Sequence, residues 1–166
     1  MRIYIVNTET EVGDWLELPV YEDLQEALER LIGGSGGLRV EDADHWPGGW
    51  KPWPIDSVDT INELAERIED LVDDHPQLYS LLEAVCECEA STGVGWLENI
   101  LDLIEIGDIA WYPGKTLREV AMELVDEGTF GVVPENLEGY IDYDAIAQDL
   151  AVDGYVQTGR GVYRLP

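Results

Sequence analysis

Positive charge is scarce in this sequence of 166 residues, in which 9 Lys and Arg stand against 36 Asp and Glu. The formal net charge is therefore -27 at pH 7. Nucleic acids and anionic membranes bind surfaces that are rich in Lys and Arg, so this balance argues against direct contact with either of them. The partner that such a surface favours is a basic protein.

Two long stretches contain no positive charge at all. Residues 119–159 hold 10 acidic residues and residues 68–114 hold 11, and neither stretch has a single Lys or Arg. Most soluble domains mix the two signs, because opposite charges three or four residues apart support a helix and like charges there destabilise it. A surface of one sign over so much of the chain indicates that the charge itself serves the function.

Cysteine is rare as well, and no apolar run approaches the length that spans a membrane. Cys86 and Cys88 lie two residues apart in a helical pattern, where side chains do not face each other, so we expect no disulfide between them. No early apolar run follows a basic start, as it would in a signal peptide. Reduced thiols without an export signal predict a cytoplasmic protein that makes no membrane contact.

Recognisable catalytic and metal-binding motifs are missing too. The glycine run GGSGG at residues 33–37 follows a helical pattern, which is the wrong context for a phosphate loop or a dinucleotide fingerprint. His45 and His75 belong to no known motif, and the two cysteines lack the spacing of a zinc site. We therefore predict no catalytic residues, no metal and no cofactor. A carboxylate pair of the glycosidase type stays open only because acids are so abundant.

The first 56 residues predict a small β-sheet-plus-helix domain. Alternating apolar residues indicate a hairpin of strands at 2–8 and 14–19, with Gly13 in its turn. A helical pattern at 22–32 runs into the glycines, and 38–42 is typical of a third strand.

An irregular segment at residues 45–54 follows, and its Pro and Gly residues exclude a helix or a central strand. We interpret this segment as a boundary loop whose indoles pack on the adjacent cores. The alternative is a sugar-stacking cleft, which would combine Trp46, Trp50 and Trp53 with Asp42 and Asp44.

Residues 57–107 predict an acidic helical bundle. Thr60 and Glu63 have the spacing of a capping box, Pro76 suits the first turn of a second helix, and the glycines at 93 and 95 precede a third. In each helix the apolar positions share one face and the acids lie on the other. The acids predicted to point outward are Glu63, Glu66, Asp70, Asp73, Glu98, Asp102 and Glu105.

Residues 108–166 predict a C-terminal α+β domain. Thr116 and Glu119 have the spacing of another capping box, and Gly128 is placed to end that helix. Asp142 precedes a last helix, and residues 155–165 indicate a closing hairpin. The acids predicted at this surface are Glu119, Glu123, Asp126, Asp144 and Asp153.

Acidic helices side by side would approach the charge density of duplex DNA, which carries one charge per roughly 1.7 Å of its axis. Such a surface would attract the basic groove of a DNA-binding protein, with fast and salt-sensitive association. Composition alone leaves three hypotheses open. They are a DNA mimic, an acidic module for some other basic protein, and a halophile enzyme.

Within residues 133–150 the sequence VPENLEGYIDYDAIAQDL resembles the C-terminal signature of the ArdA family of antirestriction proteins. In that family a V-P-x-x-L-x-x-Y-I-D-Y segment leads into a helix that ends in D-L, and a short hairpin follows. The start of the chain, RIYIVNT followed by GDWLELP, is similar as well. The matching signature residues are Val133, Pro134, Leu137, Tyr140, Ile141, Asp142, Tyr143, Asp149 and Leu150.

The resemblance implies an elongated, three-domain homodimer that mimics bent B-form DNA. Proteins of this family are carried on mobile genetic elements such as conjugative plasmids and transposons. They have no catalytic residues, and they occupy the DNA-binding site of type I restriction-modification enzymes. The signature residues would then serve the fold or the dimer contact, and the acids around them would contact the enzyme. The chain departs from the family pattern in the glycine run and in residues 45–54.

Overall fold

The computed structural model describes residues 1–34, 37–89 and 93–166. It confirms the predicted α+β class, with six α-helices and two three-stranded sheets in these ranges. The chain divides into two compact units, Met1–Ile106 and Gly107–Pro166. The division into three domains stays a prediction. Within the described ranges, no helix is both long and apolar enough to cross a membrane.

The first unit begins with an antiparallel sheet in the order β2-β1-β3. Its strands are β1 (Arg2–Asn7), β2 (Val12–Glu17) and β3 (Leu38–Asp44). Ile3 and Ile5 of β1 are fully buried, as the alternation of apolar residues requires. The predicted hairpin and the third strand are thus confirmed.

Gly13 lies inside β2 and not in the turn, so the predicted place of the turn was wrong. The turn instead follows Asn7, whose side chain accepts hydrogen bonds from the amides of Glu9 and Thr10. A Cβ atom at Gly13 would lie 2.9 Å from Cγ2 of Val6 on the paired strand. Glycine is needed here because two strands approach closely, and that requirement looks the same in the sequence as a turn.

Helix α1 (Leu24–Ile32) packs against the hairpin and buries Ala27, Leu28 and Ile32. It begins after Asp23, whose side chain accepts a hydrogen bond from the amide of Glu26. It ends at Gly33, which has the left-handed conformation common at helix ends. Of the predicted glycine run, Ser35 and Gly36 lie outside the described residues.

The segment after β3 contains one short 3-10 turn, Pro47–Gly49. Trp46 and Trp50 are buried with their ring centroids 4.6 Å apart, whereas Trp53 is 52% exposed. The indole of Trp46 donates a hydrogen bond to the carbonyl of Arg2. The predicted core packing is therefore confirmed for Trp46 and Trp50, whose faces are not open for a sugar, and is wrong for Trp53.

Three helices complete the first unit: α2 (Val58–Asp74), α3 (Pro76–Cys88) and α4 (Val94–Ile106). Helix α2 packs against both α3 and α4. The core between them includes Ile61, Ile68, Leu81, Leu97 and Leu101, all of them almost completely buried. All five residues lie on the apolar helix faces that the sequence predicts.

The capping box expected at Thr60 is not formed. Helix α2 already begins at Val58, and the carbonyl of Ser57 accepts a hydrogen bond from the amide of Ile61. Thr60 and Glu63 consequently lie within the helix rather than at its start. The helix starts earlier than its capping-box spacing indicates, so Asp59 joins it as well.

The second unit holds a sheet in the order β4-β6-β5, covered by two helices. Its elements are β4 (Ala110–Pro113), α5 (Leu117–Asp126), a 3-10 turn (Glu138–Tyr140), α6 (Tyr143–Val152), β5 (Tyr155–Gln157) and β6 (Gly161–Arg164). Val120, Leu124, Leu150 and Val162 form the core between helices and sheet. The predicted capping box at Thr116, the cap at Asp142 and the closing hairpin are all present.

Candidate acidic binding surface

None of the twelve acids predicted to point outward is buried. Nine are exposed, and Glu66, Glu98 and Glu123 are half-buried. The apolar residues of the same helices take the core positions, which leaves the acids on the water side. Their role in binding a partner stays a prediction.

Helix α2 carries the longest row of acids in the first unit. Its members repeat every three or four residues, so they share one side of the helix. The sequence pattern does not indicate Asp59, because the spacing of Thr60 and Glu63 predicts a later helix start. We call this row the α2 stripe; it consists of Asp59, Glu63, Glu66, Asp70 and Asp73.

Most of the few Lys and Arg residues form ion pairs with acids outside the α2 stripe. In the part of the chain that the structure describes, seven Lys and Arg side chains form ion pairs with Asp or Glu, and none of these partners belongs to the α2 stripe. Within the described residues, the carboxylates of Glu63, Asp70 and Asp73 have no hydrogen-bond or ion-pair partner. The paired bases are Arg2, Arg30, Arg39, Lys51, Arg67, Lys115 and Arg118.

Arg67 neutralises two of the predicted surface acids from a neighbouring helix. Its Nε donates to Oε1 of Glu105 at 2.7 Å, and its Nη2 donates to Oδ1 of Asp102 at 2.6 Å. The hydrogen bond from Arg67 holds the pKa of Glu105 below its ordinary value, and the same bond raises the pKa of Arg67. Asp102 and Glu105 therefore present less negative charge to a partner than the α2 stripe does.

The acids of the second unit are partly neutralised too. Glu119 closes the capping box of α5, and its Oε2 accepts hydrogen bonds of 2.8 Å from the amide and the hydroxyl of Thr116. These bonds lower the pKa of Glu119. Glu123 pairs with Lys115, and Asp144 pairs with Arg118 at 3.1 Å.

Two predicted acids of this unit, Asp126 and Asp153, have carboxylates with no such partner among the described residues. Asp126 follows Glu119 and Glu123 along α5 at helical spacing, and Asp153 follows the end of α6. The second unit thus presents fewer uncompensated carboxylates in one row than α2 does.

Near the N-terminal sheet, the acids have bases as neighbours. Lys51 donates a hydrogen bond to Asp42, and Arg2 donates to Asp44 at 2.6 Å. Each of these bonds lowers the pKa of the carboxyl that accepts it. Arg2 also lies over the ring of Trp15, 4.6 Å from its centroid. This face of the sheet is therefore largely neutral and contributes little to the acidic surface.

Among the described residues, the histidines and cysteines do not converge on a catalytic site. His45 is exposed and lies 3.3 Å from Asp44, and His75 lies between α2 and α3. Burial raises the pKa of Cys86 to about 12, which keeps its thiol protonated and unreactive. In the described part of the chain, no group of three or more His, Cys, Asp or Glu is arranged to hold a metal ion.

The signature segment, residues 133–150, and the residues just before it are unusual for their exposed apolar side chains. Residues 127–142 contain no buried residue, although Leu137 and Tyr140 of the signature lie there. Tyr140 is 86% exposed and Val132 is 95% exposed. Among the signature residues only Leu150 is buried in the core. Phe130 and Val132, just before this segment, are exposed as well, although no sequence motif indicates them.

The fold and the exposed carboxylates define an acidic α+β protein. The chain belongs to the antirestriction protein (ArdA) family, because the model of that family matches residues 7–164. The match covers almost the whole chain and confirms the resemblance seen in residues 133–150. It places this protein in a family of inhibitors. A comparison with curated proteins found no match.

Proposed function

We propose that this protein is a non-enzymatic mimic of B-form DNA that occupies the DNA-binding site of type I restriction-modification enzymes. Membership of the antirestriction family supports the biological role. The observation that carries the mimicry is the α2 stripe. None of its five acids forms an ion pair with Lys or Arg among the described residues. Those carboxylates present negative charge on a rigid helix, as phosphates do on a duplex.

The spacing of the stripe supports this proposal. From Asp59 to Asp73 the helix rises about 21 Å, at 1.5 Å per residue, so its five acids give roughly one charge per 5 Å. One strand of a duplex carries a phosphate about every 3.4 Å of its axis. The stripe alone is less dense than a DNA strand, and acids of neighbouring helices add to it.

We further propose that two copies associate through the signature segment of the second unit. Leu137 and Tyr140 of this segment are 49% and 86% exposed, and exposed apolar side chains of this kind are typical of an interface. A dimer would carry twice the formal charge of -27, or -54. That is the number of phosphates in about 27 base pairs, at two per pair.

The proposed mimicry also predicts where the protein acts and what it does not bind. A chain that imitates DNA repels DNA, so direct binding of nucleic acid is not part of its action. We expect the protein to act in the cytoplasm, where incoming unmodified DNA meets restriction enzymes. We expect its gene to lie on a mobile genetic element, whose DNA the protein would protect. No metal, cofactor or catalytic residue takes part.

A restriction assay tests the function. A purified type I enzyme is incubated with unmodified duplex DNA, with and without the protein, and cleavage is followed over time. We expect inhibition at amounts comparable to the enzyme, and excess duplex DNA should relieve it. If several type I enzymes cleave at the same rate with and without the protein, the alternative of an acidic module for another basic protein is favoured instead.

A further inference from the structure

Arg67 is the only Lys or Arg between residues 52 and 114, where it stands among 15 acidic residues. A cation on a surface that imitates phosphates would weaken the imitation, because it attracts anions and repels a basic partner. In the structure, the guanidinium of Arg67 binds acidic side chains of its own chain. Its side chain is 29% exposed, and two of its nitrogens are bound to carboxylates of α4.

The two carboxylates that Arg67 binds would otherwise repel each other. Asp102 and Glu105 lie three residues apart on α4, a spacing at which like charges destabilise a helix. The guanidinium is planar and offers donors in a fixed arrangement, so it binds both carboxylates at once. This contact joins α2 to α4 over 35 and 38 residues of sequence.

The contact also bears on the acidic surface. Arg67 lies on the same helix as the α2 stripe, between Glu66 and Asp70 in sequence. Its two bonds fix where α2 lies along α4, and the unpaired acids of the two helices are held in place with it. Apolar packing alone tolerates small sliding of helices, whereas charge-assisted hydrogen bonds have defined lengths and directions.

We propose that Arg67 is a positioning residue, which locks α2 to α4 and so holds the α2 stripe in a fixed arrangement with Glu98, the acid of α4 that has no ion pair among the described residues. This inference rests on the function proposed above. It has an unusual consequence: removing a positive charge from this acidic protein weakens its action. A surface that works by charge alone would behave in the opposite way, since Arg67→Gln changes the formal charge from -27 to -28.

Arg39→Gln is the matched control. It removes the same charge, but among the described residues Arg39 pairs only with Glu41, two residues away on β3. We expect Arg67→Gln to inhibit about tenfold more weakly than the native protein, as loss of charge-assisted hydrogen bonds allows. Arg39→Gln should inhibit as strongly as the native protein or more strongly. Equal or stronger inhibition by Arg67→Gln would overturn the inference.

Arg67→Lys separates positioning from simple folding. It keeps the charge but cannot bind both carboxylates with one planar group, so we expect inhibition between those of the native protein and Arg67→Gln. Circular dichroism shows whether each variant is folded. The salt dependence of inhibition is a further readout: charge counting predicts a steeper dependence for Arg67→Gln, and positioning predicts a shallower one.

Hydrogen exchange tests the positioning itself without any restriction enzyme. In Arg67→Gln the amides near Asp102 and Glu105 in the last turns of α4 should exchange faster, while those of α5 in the second unit stay unchanged. Unchanged exchange in α4 would overturn the inference even if the native protein inhibits. If the native protein does not inhibit but α4 is loosened, the proposed function fails and the α2–α4 lock stands.

Discussion

The side-chain amide of Asn62 binds both backbone polar groups of Val20, which lies 42 residues earlier in the chain. Its Oδ1 accepts from the amide of Val20 at 2.7 Å, and its Nδ2 donates to the carbonyl at 3.3 Å. The same Nδ2 donates to Oε1 of Glu66 at 2.9 Å. Asn62 is 7% exposed, so helix α2 of the first unit is tied to the loop after β2 by a buried polar contact.

Asn62→Ala should destabilise the first unit by about 2–3 kcal/mol, because it leaves the polar groups of Val20 without their partner. Urea unfolding followed by circular dichroism measures the effect. Asn99→Ala is the control, since Asn99 is exposed on α4 and its side chain makes no hydrogen bond within the described residues. Similar losses for the two variants would show that the contact with Val20 contributes nothing special.

The capping box of α5 predicts a pH dependence. The hydrogen bonds from Thr116 lower the pKa of Glu119 below its ordinary value of 4.5. A lowered pKa in the folded state adds stability that is complete above the ordinary pKa and is lost as the pH falls through the folded-state pKa. The stability difference between the native protein and Glu119→Gln should therefore shrink as the pH falls below about 4.5.

Unfolding midpoints between pH 7 and pH 3 measure that difference. Asp126→Asn is the control on the same helix, because Asp126 has no partner among the described residues. Both variants remove one negative charge, so the general repulsion between acids changes equally. A difference that does not vary with pH for Glu119→Gln would contradict the role of its hydrogen bonds.

The proposed dimer predicts that salt strengthens self-association. Two copies of a chain with a charge of -27 repel each other, and salt screens this repulsion. The double variant Leu137→Ser, Tyr140→Ser should shift the protein to monomer in sedimentation equilibrium with its circular dichroism unchanged. Val152→Ser is the control, because Val152 is as exposed as Tyr140, at 86%, but lies on α6. If Val152→Ser dissociates the protein and the double variant does not, the interface lies elsewhere.

Much of the fold follows from local sequence. The spacing of Ile61, Leu64 and Ile68 indicates a helix face wherever it occurs, and these residues are buried as that spacing requires. Thr116 and Glu119 cap α5 because the two side chains reach backbone amides only three residues apart. Such signals need no knowledge of the rest of the chain.

The remaining features depend on distant parts of the chain. The spacing of Thr60 and Glu63 is identical to a capping box, yet Ser57 comes first and the helix starts there. The predicted surface acids carried no sign of their partners, because the bonds of Arg67 to Asp102 and Glu105 exist only once α2 and α4 pack. Sequence indicates which acids face water, and only the structure distinguishes the paired acids from the α2 stripe.

The most direct test of DNA mimicry is competition with duplex DNA for a type I enzyme over a series of salt concentrations. A matched pair of triple variants localises the effect: Glu63→Gln, Asp70→Asn, Asp73→Asn within the α2 stripe, and Glu22→Gln, Glu41→Gln, Asp42→Asn among the acids paired with bases. Both triples change the formal charge from -27 to -24. We expect the native protein to displace the duplex, less well as salt rises, and only the α2 triple to lose affinity strongly. Displacement that is independent of salt, or equal losses for the two triples, would rule out DNA mimicry by the α2 stripe.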